Sequence, residues 1–259
     1  MIPKVIHYCW FGGKPLPDDV QKCIISWKKK LPDYEIKEWN ESNFNFKDNL
    51  YAREAYNHKK WAFVADYARI YVLVKYGGIY LDTDVEVIKS MDSLLQYKAF
   101  CCFQESKDLC TAVLGCESNF EMFEEWLKLY DELEYNDSQP NVIPFTRLCQ
   151  KYGLKLNNQQ QTIEGLEVFP SDYFSPKNYR TNETILTSNT YTIHHFHETW
   201  RSPLEKRMHR RDAKLTRKYG PVFGHVFANI INLPVRIYNA IKKRGIIGEF
   251  RYFISKFYK

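Results

Sequence analysis

The sequence predicts an α/β layered fold, because segments with the apolar pattern of strands alternate with segments patterned as helices. An apolar run over residues 4–10 ends at Gly12-Gly13 and predicts a buried first strand with a tight loop after it. A largely apolar helical pattern over residues 60–76 ends at Gly77-Gly78, where glycine can stop a helix. Residues 79–88 follow at once and predict another strand.

The other predicted elements fit the same alternation. Asp18 or Asp19 can cap a helix that runs to about Lys30, and the alternating residues 34–39 predict a second strand. Further strands are predicted at residues 99–103, 111–116 and 191–196, and an amphipathic helix is predicted at residues 121–133.

Composition excludes several classes of protein. A chain of 259 residues with 44% hydrophobic and 16% aromatic residues is too apolar for a disordered protein, and its length suits one large domain with appendages. No run of about 18 apolar residues predicts a transmembrane span, and the first residues lack the apolar core of a signal peptide. The seven cysteines follow no disulfide or zinc spacing, which favours reduced thiols in the cytoplasm.

The net charge of +6 is unevenly distributed along the chain. Residues 201–259 contain 15 Lys and Arg against 3 Asp and Glu, a net of +12, while the rest of the chain has 22 against 28, a net of −6. Apolar and aromatic residues recur in this tail at helical spacing. A basic amphipathic helix is typical of a segment that lies on an anionic membrane surface, and packing on the domain or on a partner chain is the alternative. No nucleic-acid-binding signature accompanies the basic residues, so nucleic acid is not an expected partner.

The strongest local signal is the run Tyr80-Leu-Asp82-Thr-Asp84, in which an apolar strand ends in two carboxylates. Carboxylates this close repel each other unless a cation lies near them. Mg²⁺ and Mn²⁺ prefer oxygen ligands and keep coordination sites open for substrate phosphates. An Asp-x-Asp pair alone is common in solvated loops, but its place directly after a buried strand favours a metal site.

Two further groups of polar residues accompany this motif. Asp66 and Arg69 share one face of the predicted helix among apolar neighbours, so they are either a partly buried pair that needs partners or a surface ion pair. Near the end of the body, alternation along a strand places His195 and His197 on one face and His194 on the other. These histidines can be ordinary packed residues or can supply an imidazole to the same metal.

Taken in order, these blocks resemble glycosyltransferase family 32, the bacterial polysaccharide and yeast mannosyltransferase-like proteins that share a DXD sugar-binding motif. The catalytic core of the large clostridial glucosylating toxins has the same layout. The blocks that carry the resemblance are Ile2-Pro-Lys-Val-Ile-His7 with Trp10-Phe-Gly12, then Ala65-Asp66-x-x-Arg69, then Tyr76-Gly-Gly-Ile-Tyr-Leu-Asp-Thr-Asp-Val-Glu86, and His194-His195-Phe196 with Trp200. The resemblance covers residues 1–202 and implies a single GT-A domain there, a Rossmann-like nucleotide-sugar-binding fold. Residues 203–259 lie outside it and are the basic amphipathic helical tail that charge and apolar spacing predict to associate with a membrane.

The resemblance also implies roles for individual residues. Asp66, Arg69, Asp82 and Asp84 are the expected catalytic residues. The implied donor contacts are Trp10 on the nucleobase, Asp66 on ribose or sugar hydroxyls, Arg69 at the sugar and phosphate, Tyr80 in the pocket wall, Asp82 on the ribose, and Thr199 with Trp200 near the leaving phosphate. The implied ligands of a Mn²⁺ or Mg²⁺ ion are Asp82, Asp84 and His195, and a contact of His195 with the donor diphosphate is the alternative.

One departure from the family pattern lies in the last block, where relatives commonly have Gly-Ser-Trp and this chain has Glu198-Thr199-Trp200. Thr199 keeps a hydroxyl at the position of the serine. Glu198 is either one more metal carboxylate or a solvated charge. No second carboxylate is nominated as a nucleophile, so none is assigned.

The implied activity is a metal-dependent, retaining transfer of a hexose from a nucleotide-sugar donor, with a UDP-linked donor expected. The expected acceptor is a glycan, in particular a lipid-linked precursor of capsular or cell-surface polysaccharide, reached from the inner face of the cell membrane by a cytoplasmic, peripheral protein. Two alternatives stay open. One is an inactive adaptor that binds membrane or glycan, and the other is a metal-dependent phosphatase, since Asp-x-Asp also follows a strand in haloacid-dehalogenase-like enzymes.

Overall fold

The computed structural model describes residues 1–104, 107–135, 141–179, 181–197, 203–220, 222–235 and 237–238. It divides into two compact units, Met1–Asn178 with Glu183–Trp200 and Tyr179–Asn182 with Arg201–Lys259. The first unit contains the sheets and five α-helices, and the second has helices over residues 203–219 and 222–235. The sequence-based boundary between a domain of residues 1–202 and an appendage of residues 203–259 stays a prediction.

Strands and helices alternate through the first unit. The strands are β1 (Val5–Cys9), β2 (Glu35–Trp39), β3 (Gly78–Leu81), β4 (Val85–Val87), β5 (Ala99–Gln104), β6 (Asp108–Cys116), β7 (Gln161–Ile163), β8 (Leu166–Phe169) and β9 (Thr192–His194). The helices are α1 (Asp18–Lys30), α2 (Leu50–Asn57), α3 (Trp61–Tyr76), α4 (Glu121–Glu132), α5 (Val142–Lys151) and, in the second unit, α6 (Pro203–Tyr219). The α/β prediction is confirmed.

The main sheet has seven strands in the order β2-β1-β3-β6-β5-β8-β7. β1 runs parallel to both β2 and β3, so the carboxyl ends of these three strands meet at one edge. β6 pairs antiparallel with β3 and makes the sheet mixed. Because ligands of open α/β sheets bind at the carboxyl ends of strands, this edge is the expected place for a site.

The predicted strand over residues 79–88 is two strands in the structure. β3 ends at Leu81, and β4 begins at Val85 and pairs with β9 in a separate two-stranded sheet. The residues between them turn from one sheet to the other, with the Asp82 N–H still bonded to the Ala112 carbonyl at 2.8 Å and the Val85 N–H bonded to the Asp82 carbonyl at 3.0 Å. The two carboxylates therefore lie in a turn at the sheet edge rather than within a continuous strand.

Helices cover both faces of the main sheet and bury two apolar cores. On one face, α1 packs Trp27, which is fully buried, and its indole N–H donates to the Val85 carbonyl at 2.7 Å. α1 begins after Pro17, so neither predicted aspartate caps it; both lie in the first turn, where acidic side chains oppose the positive end of the helix dipole. This helix fixes the start of β4, and with it the end of the turn that carries the carboxylates.

On the other face, α3 packs against the sheet and against α2 and α4. The predicted stop at its end is confirmed: Gly77 is the C-cap, with a φ of 63°. Gly78 has a φ of 105°, and a Cβ there would stand 2.7 Å from the Val5 carbonyl oxygen. Glycine therefore lets the chain pass directly from α3 into β3, which places the helix residues and the strand-end carboxylates side by side.

All seven cysteines are buried free thiols. Among the residues that the structure describes, no helix has both the length and the apolar content needed to cross a membrane.

Candidate active site

Arg69 is the centre of the polar cluster at the end of β3. Its Nη2 atom lies 3.0 Å from Asp82 Oδ1 and 3.0 Å from Asp66 Oδ1, and its Nη1 donates to the Thr111 carbonyl at 2.6 Å. The Arg69 side chain is only 5% exposed. A guanidinium presents several donors in one plane, so it can hold two carboxylates and a carbonyl at once. The sequence-predicted pair of Asp66 and Arg69 is thus a buried pair that also reaches the motif.

Tyr80 supports this arrangement from within β3. The Arg69 guanidinium lies 4.8 Å from the centroid of the Tyr80 ring, a cation–π distance, and the Tyr80 hydroxyl donates to Asp82 Oδ1 at 3.1 Å. Asp82 Oδ1 therefore accepts from two side chains, and Oδ2 is the oxygen left for a ligand. Burial raises the pKa of the Asp82 carboxyl, although the Arg69 charge acts in the opposite direction.

Asp66 is held by a second buried chain of hydrogen bonds. Asn141 Nδ2 donates to Asp66 Oδ1 at 2.7 Å, and the Thr111 hydroxyl donates to Asn141 Oδ1 at 3.0 Å. Burial raises the pKa of Asp66 to about 7, against the lowering effect of the Arg69 charge. Nothing in the sequence pattern singled out Asn141, because a lone asparagine carries no spacing signal.

Asp84 faces the end of β9. His194 Nε2 lies 3.3 Å from Asp84 Oδ1, and the His197 backbone N–H donates to Asp84 Oδ2 at 2.8 Å. Burial by itself raises the pKa of Asp84, but the His194 charge and these hydrogen bonds outweigh burial and hold it below the usual range. In turn, burial disfavours the protonated form of His194, while Asp84 favours it more strongly and raises the histidine pKa to about 10.

Three side chains converge in a way that suits a divalent cation. One ligand atom each from Asp82, Asp84 and His194 lies within 4.8 Å of the others. Two carboxylate oxygens and one imidazole nitrogen are a donor set that suits Mn²⁺, and the oxygens alone suit Mg²⁺. As a metal ligand His194 is neutral, and three carboxylates with one guanidinium then leave the cluster with excess negative charge, which a bound cation offsets. The residues therefore fit the metal that the sequence predicted.

The histidine in this cluster differs from the expected one. His195, predicted as the ligand, points its Nε2 at Glu86 Oε2 at a distance of 3.0 Å. β4 and β9 pair with Val85 opposite His194, so the face of β9 that meets the Asp82–Asp84 turn is that of His194. The alternation of the two faces was predicted, but which face meets the motif depends on pairing between distant segments.

The structure describes only some of the remaining residues that were predicted to contact the donor. Trp10 follows β1 directly, at the same edge of the sheet as Asp82, and its indole N–H donates to the Lys14 carbonyl at 2.6 Å. Thr199 and Trp200, with Glu198, lie outside the described residues, so their roles stay predictions.

Known proteins resemble this chain at the same region. Residues 17–101 match the family described as "Glycosyltransferase sugar-binding region containing DXD motif". Inositol phosphoceramide mannosyltransferase 3 of Schizosaccharomyces pombe is 34% identical over 110 residues, which are 38% of this chain and 29% of that protein. An uncharacterised glycosyltransferase of Acanthamoeba polyphaga mimivirus is 24% identical over 77% of this chain and 84% of its own length.

The solved structure of the PaToxG glycosyltransferase superposes with a TM-score of 0.50 at 21% identity, over 58% of this chain and 69% of that one. This likeness concerns the fold. The chain spans less than a third of the length of the S. pombe relative. The matched region contains Asp66, Arg69, Asp82 and Asp84. Residues 17–101 are therefore similar to the DXD sugar-binding region of glycosyltransferases, and the α/β body has the GT-A fold.

Proposed function

We propose that this protein is a metal-dependent, retaining glycosyltransferase that moves a hexose from a nucleotide-sugar donor, UDP-linked, to a glycan. The observation that carries the proposal is the convergence of Asp82, Asp84 and His194 beside the buried Asp66–Arg69 pair. A cation site next to a third carboxylate, the buried Asp66, offers one place for a diphosphate and another for sugar or ribose hydroxyls.

Cleavage of the sugar–phosphate bond requires stabilisation of the departing nucleoside diphosphate. A divalent ion held by Asp82, Asp84 and His194 supplies Lewis-acid stabilisation of that leaving group when it is bound. Arg69 orients Asp82 by occupying Oδ1. Asp66 has Oδ1 occupied by Arg69 and Asn141, which leaves Oδ2 to accept from a donor hydroxyl. These residues bind and orient the donor before any bond breaks.

A lipid-linked glycan is the acceptor that we propose, as a precursor of capsular or cell-surface polysaccharide. Two relatives from S. pombe are named for the transfer of mannose to inositol phosphoceramide, a lipid, and this supports an acceptor at a membrane. The basic, apolar tail is consistent with a peripheral protein on the inner face of the cell membrane. GDP-mannose is the donor to compare with the UDP-hexoses.

Thermal unfolding with a panel of nucleotide sugars tests the donor class, because a ligand that binds only the folded state raises the apparent stability. We expect one donor to raise the unfolding temperature with Mn²⁺ present and to do so much less after chelation. Donor hydrolysis or transfer to a glycan acceptor then tests turnover. Binding without turnover on any acceptor would favour the inactive adaptor, and phosphatase activity without nucleotide binding would favour the phosphatase.

Asn141 is expected to act as a positioning residue. Asn141→Ala removes the donor to Asp66 Oδ1 and frees the Thr111 hydroxyl, so we expect kcat/KM to fall by roughly 10- to 100-fold, the usual effect of losing a group that orients a site residue. Steady-state transfer assays at saturating Mn²⁺ measure this effect.

Asn49→Ala is the matched control, since Asn49 is as buried as Asn141 but caps α2 by accepting from the Ala52 N–H. Asn49 also donates to the Tyr130 carbonyl at 3.1 Å, so its loss should lower the free energy of unfolding by about 2–3 kcal/mol and leave kcat/KM nearly unchanged. Equal losses of activity in the two variants would contradict the positioning role and leave Asn141 with a purely structural one.

A further inference from the structure

The second unit has its apolar side chains on the outside. Of the seventeen large apolar side chains that are exposed among the described residues, ten lie between Tyr219 and Tyr238. Phe223 is 66% exposed and Ile230 is 62% exposed. Scattered exposed apolar residues are ordinary, but a contiguous group marks a surface that contacts something apolar.

The segment of residues 222–235 faces α6 with small residues. Residues 222–235 form a helix, and a Cβ on Gly224 would stand 2.3 Å from Thr216 Cα, so the two backbones nearly touch. Ala228 and Asn232 follow at intervals of four on the same face and are buried. Close backbone approach through small residues is how helices pack when large apolar side chains are committed elsewhere.

Polar side chains of this helix also have partners within the unit. Arg211 donates to Asn232 Oδ1 at 3.0 Å, and His225 Nδ1 lies 3.1 Å from Asp212 Oδ2. The pairing of α6 with the 222–235 helix therefore satisfies polar groups and leaves the large apolar groups outside. A helix of a water-exposed hairpin normally shows the reverse arrangement.

The outward face consists of neighbouring residues on the helix: Val222, Phe223, Val226, Phe227, Ile230, Ile231 and Leu233, with Ile237 and Tyr238 beyond its end. We call this set the outer face. At about 100° per residue its members cover roughly half of the helix circumference. Residues 219–235 contain no Lys, Arg, Asp or Glu, and Lys218 and Arg236 flank them in the sequence. An uncharged stretch between cationic ends is typical of a helix that lies in a membrane interface.

We propose that the outer face is a membrane-docking surface that enters the interface of an anionic lipid leaflet. The 222–235 helix lies in the plane of the membrane, in agreement with the lack of a described helix that could cross one. Helices that pack closely have axes roughly 8–10 Å apart, so α6 stays within about one Debye length of the lipid phosphates. Its exposed Arg207, Arg210, Lys214 and Lys218 then add attraction to anionic lipid.

Charge distinguishes this partner from a second copy of the chain. Residues 201–259 have a net charge of +12, so two such tails repel each other when their outer faces meet. An anionic lipid surface offers an apolar layer beneath a negative one, which matches both features. The outer face is the surface that would hold the protein at the membrane location proposed above. Docking through it does not depend on the transfer chemistry.

Flotation of the full-length protein with lipid vesicles tests the docking surface. We expect the protein to float with phosphatidylcholine vesicles that contain about one third phosphatidylglycerol, and to float less with phosphatidylcholine alone or at high salt. The double variant Phe223→Ser/Ile230→Ser should bind at least about tenfold more weakly, because two large apolar side chains no longer enter the interface. Replacement of both Arg207 and Arg210 by Gln should weaken binding by roughly 30-fold, or about fivefold per charge.

The control is Ile185→Ser/Leu186→Ser, which removes two exposed apolar side chains of the first unit, 70% and 54% exposed, and should float like the wild type. Unchanged flotation of the Phe223/Ile230 variant would overturn the proposal. So would a wild-type dimer in light scattering that the same variant converts to a monomer without any effect of lipid. Donor-induced thermal shifts in the same variants report separately on the transferase site.

Discussion

An Asp84→Asn variant is expected to lose about a thousandfold in transfer rate and most of its response to Mn²⁺. The amide keeps the size of the carboxylate and can still accept the His197 N–H, but it removes the charge that Asp84 offers to a cation at the His194 site. Transfer measured against Mn²⁺ concentration checks this. We expect a lower maximal rate and a much higher metal requirement. Activity is compared well below the unfolding temperature, because loss of the Asp84–His194 ion pair also lowers the free energy of unfolding.

Variants of the neighbouring residues make the test specific. Glu86 lies two residues from Asp84 in the sequence and pairs with His195. The Glu86→Gln variant should therefore keep the rate and the metal response of the wild type. His194→Ala should resemble Asp84→Asn, and His195→Ala should resemble Glu86→Gln. The opposite order of the two histidine variants would restore the ligand set expected from the sequence and contradict the geometry. Full activity of Asp84→Asn would exclude Asp84 from metal binding.

The sequence predicted those parts of this site that depend on local pattern. The buried strand before Asp82, the helix that carries Asp66 and Arg69, and the glycine stop between them are adjacent in the chain, so periodicity and turn residues were sufficient. Their proximity follows from a helix that leads directly into a strand through Gly77 and Gly78. No long-range contact had to be known.

The parts that were missed depend on contacts between distant segments. β3 and β4 were predicted as one strand, and only the pairing of β4 with β9 shows that the chain changes sheets after Asp82. The same pairing selects His194 over His195. Asn141 reaches Asp66 across the fold, and the short elements α2, α5, β7 and β8 have too few residues for a clear period. Such features depend on contacts that form only in the folded protein, and no local pattern in the sequence indicates them.

Arg69→Lys tests whether the cluster needs the shape of the guanidinium or only its charge. Lysine keeps the positive charge, but a single ammonium cannot contact Asp66, Asp82 and the Thr111 carbonyl at their observed distances of 3.0, 3.0 and 2.6 Å while lying over the Tyr80 ring. At least one buried carboxylate then loses its partner. We expect a fall of at least about a hundredfold in kcat/KM and a loss of about 3 kcal/mol in the free energy of unfolding.

Arg53→Lys is the control for this substitution, because Arg53 is an exposed arginine of α2 and should tolerate the change in both measurements. Urea unfolding and transfer assays on the same preparations separate the two effects of Arg69→Lys. Activity measured well below the unfolding midpoint should still be low, since Asp82 Oδ1 loses one of its two donors and the cation ligand is no longer oriented. If the folded variant transfers sugar at the wild-type rate, the charge of residue 69 is sufficient, and the hydrogen-bond geometry seen here does not set the rate.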